Sequence, residues 1–313
     1  MSSAPQETTF SKYNAKQGQH YANVRPDYHP SVYDFITTTH KTTGGQFDIV
    51  VDLGCGPGNV ARSLAPQFAH AYGIDPAPGM LATAKELGGT SASGEAIRYG
   101  QGGANDFGAA GGDADVALED GTVDLVAVGN AAHWFDMQQF WKRAAQVLKP
   151  GGSVALWTTG DLRIHPDSPA ADAVQAAIDH LHDHELKPYF NEGNHIVRNG
   201  YRDLLMPWTA PEPVAAFPQS ELVRRDWTMS ERFMDVADVA VNMDVLEKVM
   251  STSSIYTRWA EANPDRLEGE DNVLRKLRRE VERLIQDTGV EKGKETVRGV
   301  ALGVVLIVKK AAA

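Results

Sequence analysis

The sequence predicts an α/β protein with a doubly wound, seven-stranded, mostly parallel sheet and a helical cap. Three observations carry that prediction. β-Branched runs alternate with helical stretches through the first half of the chain. One of those runs, Ile49 to Val51, opens onto a turn with glycine at every second position, Gly54, Gly56 and Gly58. After about residue 159 the rhythm breaks into a proline-rich stretch before strands resume.

In chain order, residues 1 to 9 are polar with a proline and read as a disordered tail, ahead of one domain spanning 10–313. Residues 10 to 45 read as an N-terminal cover. Tyr13 to Tyr28 holds three tyrosines, two glutamines and Arg25 but few aliphatics, so it is not a self-sufficient core element. Pro30 then opens a helix through Ile36. Asp48 to Val51 is a buried parallel strand, and the three glycines remove Cβ atoms where the backbone bends and a ligand can lie on it. The next helix starts at Gly58 or Asn59 and runs to Phe68. Cys55, inside the turn, reads as a small filler. Ala71 to Asp75 is a second strand ending in an acid, where a carboxylate accepts from both hydroxyls of a nucleotide ribose. Met80, in the following helix, covers a base or packs in the core.

Ala96 to Gln101 forms a third strand, followed by a glycine-, alanine- and aspartate-rich loop with Asn105 and Asp106. Val123 to Gly129 is a fourth strand with a continuous apolar run, as a strand buried on both faces should have. Asn130, His133 and Trp134 follow its carboxyl end, where the ligand crevice of an open α/β sheet lies. His133 and Trp134 are therefore candidates for positioning substrate, against the alternative of a buried core pair. Asp136 to Leu148 is an amphipathic helix, stopped by Pro150 and two glycines before a fifth strand, Ser153 to Thr158. Residues 160 to 220 carry seven prolines and no evident strand, and read as a cap insertion. Glu221 to Met229 resumes the sheet, about 230 to 290 is again helical cap, and Glu295 to Lys309 ends in an apolar final strand.

Composition removes several function classes. Thirty basic against 41 acidic residues give a net charge of −11, which argues against a nucleic-acid surface. A single cysteine excludes an internal disulfide and a cysteine metal cluster. His180 and His184 are four apart on a predicted helix, yet H-E-x-x-H is absent, and a solvated helix face explains them better than a metal. The longest apolar run, Val300 to Val308, is too short to span a bilayer and no signal pattern opens the chain, so a soluble, cytoplasmic protein is expected. We expect a monomer or homodimer that binds no nucleic acid or membrane.

The turn selects among ligands. A dinucleotide fingerprint, G-x-G-x-x-G, needs a third glycine where Asn59 stands. Asp52, Gly54, Gly56 and Gly58 instead resemble, position for position, the D-x-G-x-G-x-G signature of class I S-adenosylmethionine-dependent methyltransferases, which have a Rossmann-like fold. The resemblance implies S-adenosyl-L-methionine as cofactor, with Asp52 near its ammonium, Gly54, Cys55, Gly56 and Gly58 along it, and Asp75 on the ribose. Asn105 or Asp106 would meet the adenine amino group, and Met80 and Asn130 complete the cofactor set. The block YANVRPDYHP, Tyr21 to Pro30, resembles one that folds over the cofactor in small-molecule methyltransferases, placing Tyr21 and Arg25 near its carboxylate. Together with AHWFDMQQFWKRAAQVLKPGG and KPYFNEG, it is similar to the fungal trans-aconitate methyltransferases from about Phe10 to Pro207.

That likeness implies a carboxyl O-methyltransferase forming methyl esters of small carboxylic acids, trans-aconitate-like or aromatic di- and tricarboxylates. Tyr13, Tyr28, Arg198, Tyr201 and Arg202 are the candidates for holding such an acid. A carboxylate is already ionised at neutral pH and needs no base. The alternative is a methyltransferase for a phenol, thiol or amine of a secondary metabolite, with His133 as base. A protein that keeps the fold only for binding is the third reading.

Overall fold

The protein is described by a computed structural model covering residues 14–24, 26–235 and 240–312. The predicted tail, Tyr13 and Arg25 lie outside the described residues, as does the side chain of Tyr21. In chain order the elements are α1 (Ala15–Val24), α2 (Pro30–Thr42), β1 (Ile49–Leu53), α3 (Asn59–Leu64), β2 (His70–Asp75), α4 (Pro78–Leu87) and β3 (Arg98–Gln101). β4 (Val123–Gly129), α5 (Met137–Val147), β5 (Leu148–Ile164), α6 (Ala171–His180), α7 (Glu192–Arg198) and β6 (Leu222–Asp226) follow. The chain ends with β7 (Val241–Asn242), α8 (Met243–Met250), α9 (Ser254–Ala262), α10 (Val273–Gln286), β8 (Thr296–Val297) and β9 (Gly299–Lys309).

Seven strands form one sheet in the order β3-β2-β1-β4-β5-β9-β6. β1 to β5 pair in parallel, and β9 runs antiparallel to both β5 and β6. Successive side chains of a strand point to opposite faces, so a strand covered on both sides must be apolar throughout. Val51, Val126, Val128, Val154, Leu156, Val304 and Leu306 enter one core, with Phe140 and Trp141 of α5. Their neighbours Val50, Leu125, Ala127, Ala155, Trp157, Val305 and Ile307 enter the other, under α2, α3 and α4.

The order reverses at β1 and β4, which are adjacent but point their connections to opposite sides of the sheet. A crevice opens at the carboxyl ends of strands at such a switch point. The fold therefore places the β1 turn and the residues after β4 on one rim.

The cap differs from expectation in two respects. β5 does not stop at Thr158 but continues past an irregularity to Ile164, paired with β9 as far as Gly299. Pairing, not apolar patterning, makes Thr159 to Ile164 a strand. The stretch read as one insertion also divides. Ile164, Val174, Ile178 and Leu181 join Trp259 and the buried stripe of α10, Val273, Leu274, Leu277, Val281 and Ile285, in a third core. Tyr201, Leu204 and Phe217 instead pack beside α5 in the first. A two-stranded ribbon, β7 with β8, closes the cap.

One buried histidine gives the fold a pH dependence. His40 is fully buried, its Nε2–H donating to the Gln46 carbonyl at 2.7 Å and its Nδ1 paired with the Ser153 hydroxyl at 2.9 Å. Both ring nitrogens are satisfied by the neutral tautomer. Burial holds its pKa below the ordinary 6.5, against the Gln46 carbonyl, which raises it. As pH falls below about 6.5 the unfolded chain takes up this proton and the folded one resists it, so stability falls with pH. Denaturant midpoints between about pH 7 and 5 should show that loss, and His40→Gln should flatten it at the cost of lower stability at pH 7.

Candidate active site

The site is built on the bend after β1. Gly54 and Cys55 N–H groups both donate to the Ile74 carbonyl, at 2.8 and 3.1 Å, tying the bend to β2. Gly54, Gly56 and Gly58 have φ of +71°, +52° and +83°, a region that side chains other than glycine disfavour. Asp75, at the end of β2, locks the bend: its Oδ2 accepts from Gly56 N–H and its Oδ1 from Ala77 N–H, each at 2.8 Å. Asp52 works from behind. Gly58, the residue capping α3, has no side chain, and Asp52 Oδ2 accepts from Ala61 N–H at 2.9 Å in its place.

Over this bend lies a cavity of about 640 Å³. One end is walled by Asp75, Pro76, Met80 and the loop from Gly102 to Asp106. The wall is completed by Asn130, Trp134, Phe135 and Asp136 after β4, and by Pro26, Asp27, Tyr28 and Met234. Those last residues form a roof in which two distant segments join. Tyr28 and Met234 make an antiparallel bridge, His29 N–H donates to Phe233 O at 2.9 Å, and Asp235 N–H donates to Asp27 O at 2.7 Å. The Tyr28 ring is wedged edge-on against Trp157 at 5.5 Å and Phe233 at 5.7 Å.

Of the residues singled out in the sequence, Tyr28, Gly54, Cys55, Gly56, Asp75, Met80, Asn105, Asp106, Asn130 and Trp134 line this cavity. Asn105 and Asp106 both do, so the loop offers an amide and a carboxylate together. Asp52 and Gly58 stand behind the bend as supports and are not on the wall. A Cβ at Gly58 would meet Tyr99 Oη at 2.6 Å.

His133, Tyr201 and Arg198 do not line this cavity. His133 is buried beneath Trp134, its Nδ1 3.1 Å from the Tyr201 hydroxyl. Tyr201 is itself 2% exposed, and burial raises its pKa. Arg198, at the end of α7, pairs with Asp183 at 3.2 Å and lies over the Phe190 ring, away from the cavity wall. Arg202 is exposed and donates to the Asn199 carbonyl. α7 packs Gly193 against the His133 and Trp134 pair, where a Cβ would meet the Trp134 ring and the His133 carbonyl at 2.8 Å. The histidine pair lies elsewhere: the His180 and His184 rings are 4.3 Å apart beside a π-helical turn. No group of three metal-ligating side chains occurs among the described residues.

Sequence reading missed Asp27, Asn59, Phe135, Asp136 and Met234. Asp27 is the most firmly held. Tyr33 Oη and Tyr28 N–H donate to its Oδ1, each at 2.7 Å, and Ser63 Oγ donates to its Oδ2 at 3.1 Å. The signal was present as an acid between Arg25 and two tyrosines, but its partner Ser63 lies in α3.

The walls suit the methyl donor that the sequence implied. At Gly56 a Cβ would meet no protein atom within 4 Å, so the space a side chain would take belongs to the cavity. Asp52 Oδ1 is buried without a hydrogen-bond partner beneath the same bend. Burial pushes this carboxyl up to about 8, with Asp75 and Asp27 adding to the rise and the Ala61 N–H opposing it. The Asp75 carboxylate at the β2 end, on the wall, matches the diol of a ribose.

Comparison with known proteins agrees with this geometry. The family described as "Methyltransferase domain" matches residues 51–156, the stretch from β1 to β5 that builds the bend and one wall. The Saccharomyces cerevisiae protein named "Probable S-adenosylmethionine-dependent methyltransferase CRG1" is 26% identical over 270 residues, covering 84% of this chain and 87% of that protein. Methyltransferase cfoB of Aspergillus candidus is 29% identical over 168 residues, 53% of this chain and 50% of its own length. A solved structure, described as "a Putative Type II Methyltransferase from Anaeromyxobacter dehalogenans", shares the fold with a TM-score of 0.57 at 19% identity, over 92% of this chain and 97% of that one. The family match falls on the strands and bend that make the cavity, the relatives that share them are methyltransferases, and together with the fold they support a class I S-adenosylmethionine-dependent methyltransferase.

Proposed function

We propose that this methyltransferase acts on a carboxylate oxygen of a small organic acid and releases a methyl ester. The placement of His133 supports this reading most directly. The one base that the sequence offered for a phenol or thiol is held beneath Trp134 by Tyr201, off the cavity wall. An acceptor that is already ionised needs no such base.

S-adenosylmethionine, when bound, supplies an electrophilic methyl group, and attack on it by a carboxylate oxygen moves no proton. The protein's own task is then to hold and to dry. Gly54 and Gly56 bring backbone to the ligand without Cβ atoms, and Asp75 fixes them. Asp75, Asn105 and Asp106 offer acceptors to a ribose and a base at one end. At the other, Tyr28, Trp134, Phe135 and Met234 present apolar surface that excludes water from the reacting atoms. Asn130 is set for its place by φ of +53° and by three hydrogen bonds. Its Oδ1 accepts from Thr158 Oγ1 at 2.7 Å and Thr159 N–H at 2.9 Å, and its Nδ2 donates to Thr159 Oγ1 at 3.2 Å.

The test is a methyl-labelled cofactor with panels of acids, phenols, thiols and amines. Base-labile label in esters of acids is expected, with a rate nearly flat from about pH 6.5 to 8.5. His133→Gln should then reduce activity by no more than about tenfold, through looser support of Trp134, without changing which acceptors react. Methylated phenols or thiols with no esters, and a loss of a hundredfold or more in that variant, would reject the reading.

A further inference from the structure

The charge on the cavity wall narrows the acid. Among the described residues lining it are four carboxylates, Asp27, Asp75, Asp106 and Asp136, and no lysine, arginine or histidine. Beside the Asn130 amide, the rest of the acceptor end is apolar or aromatic, from Tyr28, Trp134, Phe135 and Met234. Resting on the ester-forming reading above, we propose that the acceptor carries a single carboxylate on an apolar body, and that Asp27 and Asp136 turn polyacids away.

Neither aspartate can readily turn aside. Asp27 is fixed by three donors, Tyr33 Oη, Tyr28 N–H and Ser63 Oγ. Asp136 caps α5, its Oδ1 accepting from Gln139 N–H at 3.1 Å at the positive end of that helix. The methyl donor brings a sulfonium, an ammonium and a carboxylate, a net charge of about +1 at neutral pH. One acceptor carboxylate balances that charge. Each further carboxylate adds an unbalanced negative charge among fixed aspartates in a partly dry cavity, costing about tenfold or more in occupancy. In the reaction the acceptor oxygen forms a bond to the methyl carbon as the carbon–sulfur bond breaks, the electron pair leaving with sulfur. The product ester is neutral, so it loses the attraction that held the acid.

The experiment compares benzoate and octanoate with citrate and trans-aconitate, on the full chain, by ester formation and by calorimetry in the presence of S-adenosylmethionine. The single-carboxylate acids are expected to exceed the polyacids by about tenfold or more in kcat/KM and to bind where the polyacids do not. Asp27→Asn and Asp136→Asn should each raise the ratio of polyacid to monoacid turnover by about tenfold, and added salt should raise it in the wild type. Should either variant fail to fold, the salt dependence and the wild-type binding order decide. Polyacids preferred by the wild type, or a ratio moved by neither variant nor salt, would overturn the inference while leaving ester formation intact. Label found only on phenols, thiols or amines would overturn both.

Discussion

Replacing Asp75 with alanine is expected to weaken S-adenosylmethionine binding roughly a hundredfold. The effect does not depend on a ribose contact alone. In the protein itself the carboxylate accepts from Gly56 and Ala77 N–H groups, each at 2.8 Å, and so joins the glycine bend to the end of β2. Hydrogen bonds to a charged acceptor contribute about 1.5 to 3 kcal/mol each, and about 1.4 kcal/mol is a factor of ten in affinity. Losing both loosens the bend and removes an acceptor from the wall, and the two losses act on the same ligand. Asp75→Asn, which keeps one acceptor oxygen without the charge, should fall between the alanine variant and the wild type. Titration calorimetry measures the affinity, and thermal unfolding without ligand reports how much of the loss is stability. An affinity unchanged in Asp75→Ala would mean that the bend is held by the glycines and the Ile74 carbonyl alone.

The seven strands were legible because each central one is buried on both faces. Val123 to Gly129 is apolar at every position except Asp124 and Gly129. Asp124 is itself explained by its partners: it accepts from Ile49 N–H at 2.8 Å and from Lys149 Nζ at 2.9 Å, bracing the start of β1 against β4. The extension of β5 was not legible, since TTGDLRI has neither alternation nor an apolar run, and only its partner Gly299 to Gly303 makes it a strand.

The glycine bend and Asp75 could be read from spacing, since a strand, a bend and a helix are contiguous. The rest of the wall could not, because it is assembled from three distant segments around Asp27, Trp134 and Met234. His133 illustrates the limit. Its position after β4 marked it for the crevice, but the turn formed by Ala132–Trp134 directs Trp134 to the wall and His133 toward Tyr201. Which of two adjacent side chains faces the ligand is set by that single turn. Arg198 shows the same limit for charge: an arginine looks available in sequence until Asp183 and Phe190 are found around it.

Trp157→Ala is expected to destabilise the protein by about 3 to 5 kcal/mol, whereas Trp157→Phe should cost less than about 1.5 kcal/mol. Trp157 is fully buried in the middle of β5, register-paired with Gly129 on one side and Val305 on the other. A Cβ at Gly129 would meet its ring at 2.9 Å, so the indole already fills the room that this glycine leaves. Alanine would open a void between the sheet and the roof, and the Tyr28 ring, 5.5 Å away, would lose the face it stands against. The indole Nε1, however, is buried without a hydrogen-bond partner. Phenylalanine removes that unpaired donor, and the desolvation cost it relieves offsets part of the lost ring volume. The two variants should also part in function. Tyr28 pairs with Met234 over the cavity, so the alanine variant should lose acceptor affinity even at a temperature where it is fully folded, and the phenylalanine variant should keep it. Denaturant unfolding gives the stabilities, and KM for the acceptor, measured well below each unfolding midpoint, gives the second comparison. Equal stability losses in the two variants would show that the void beneath the roof does not govern this part of the core.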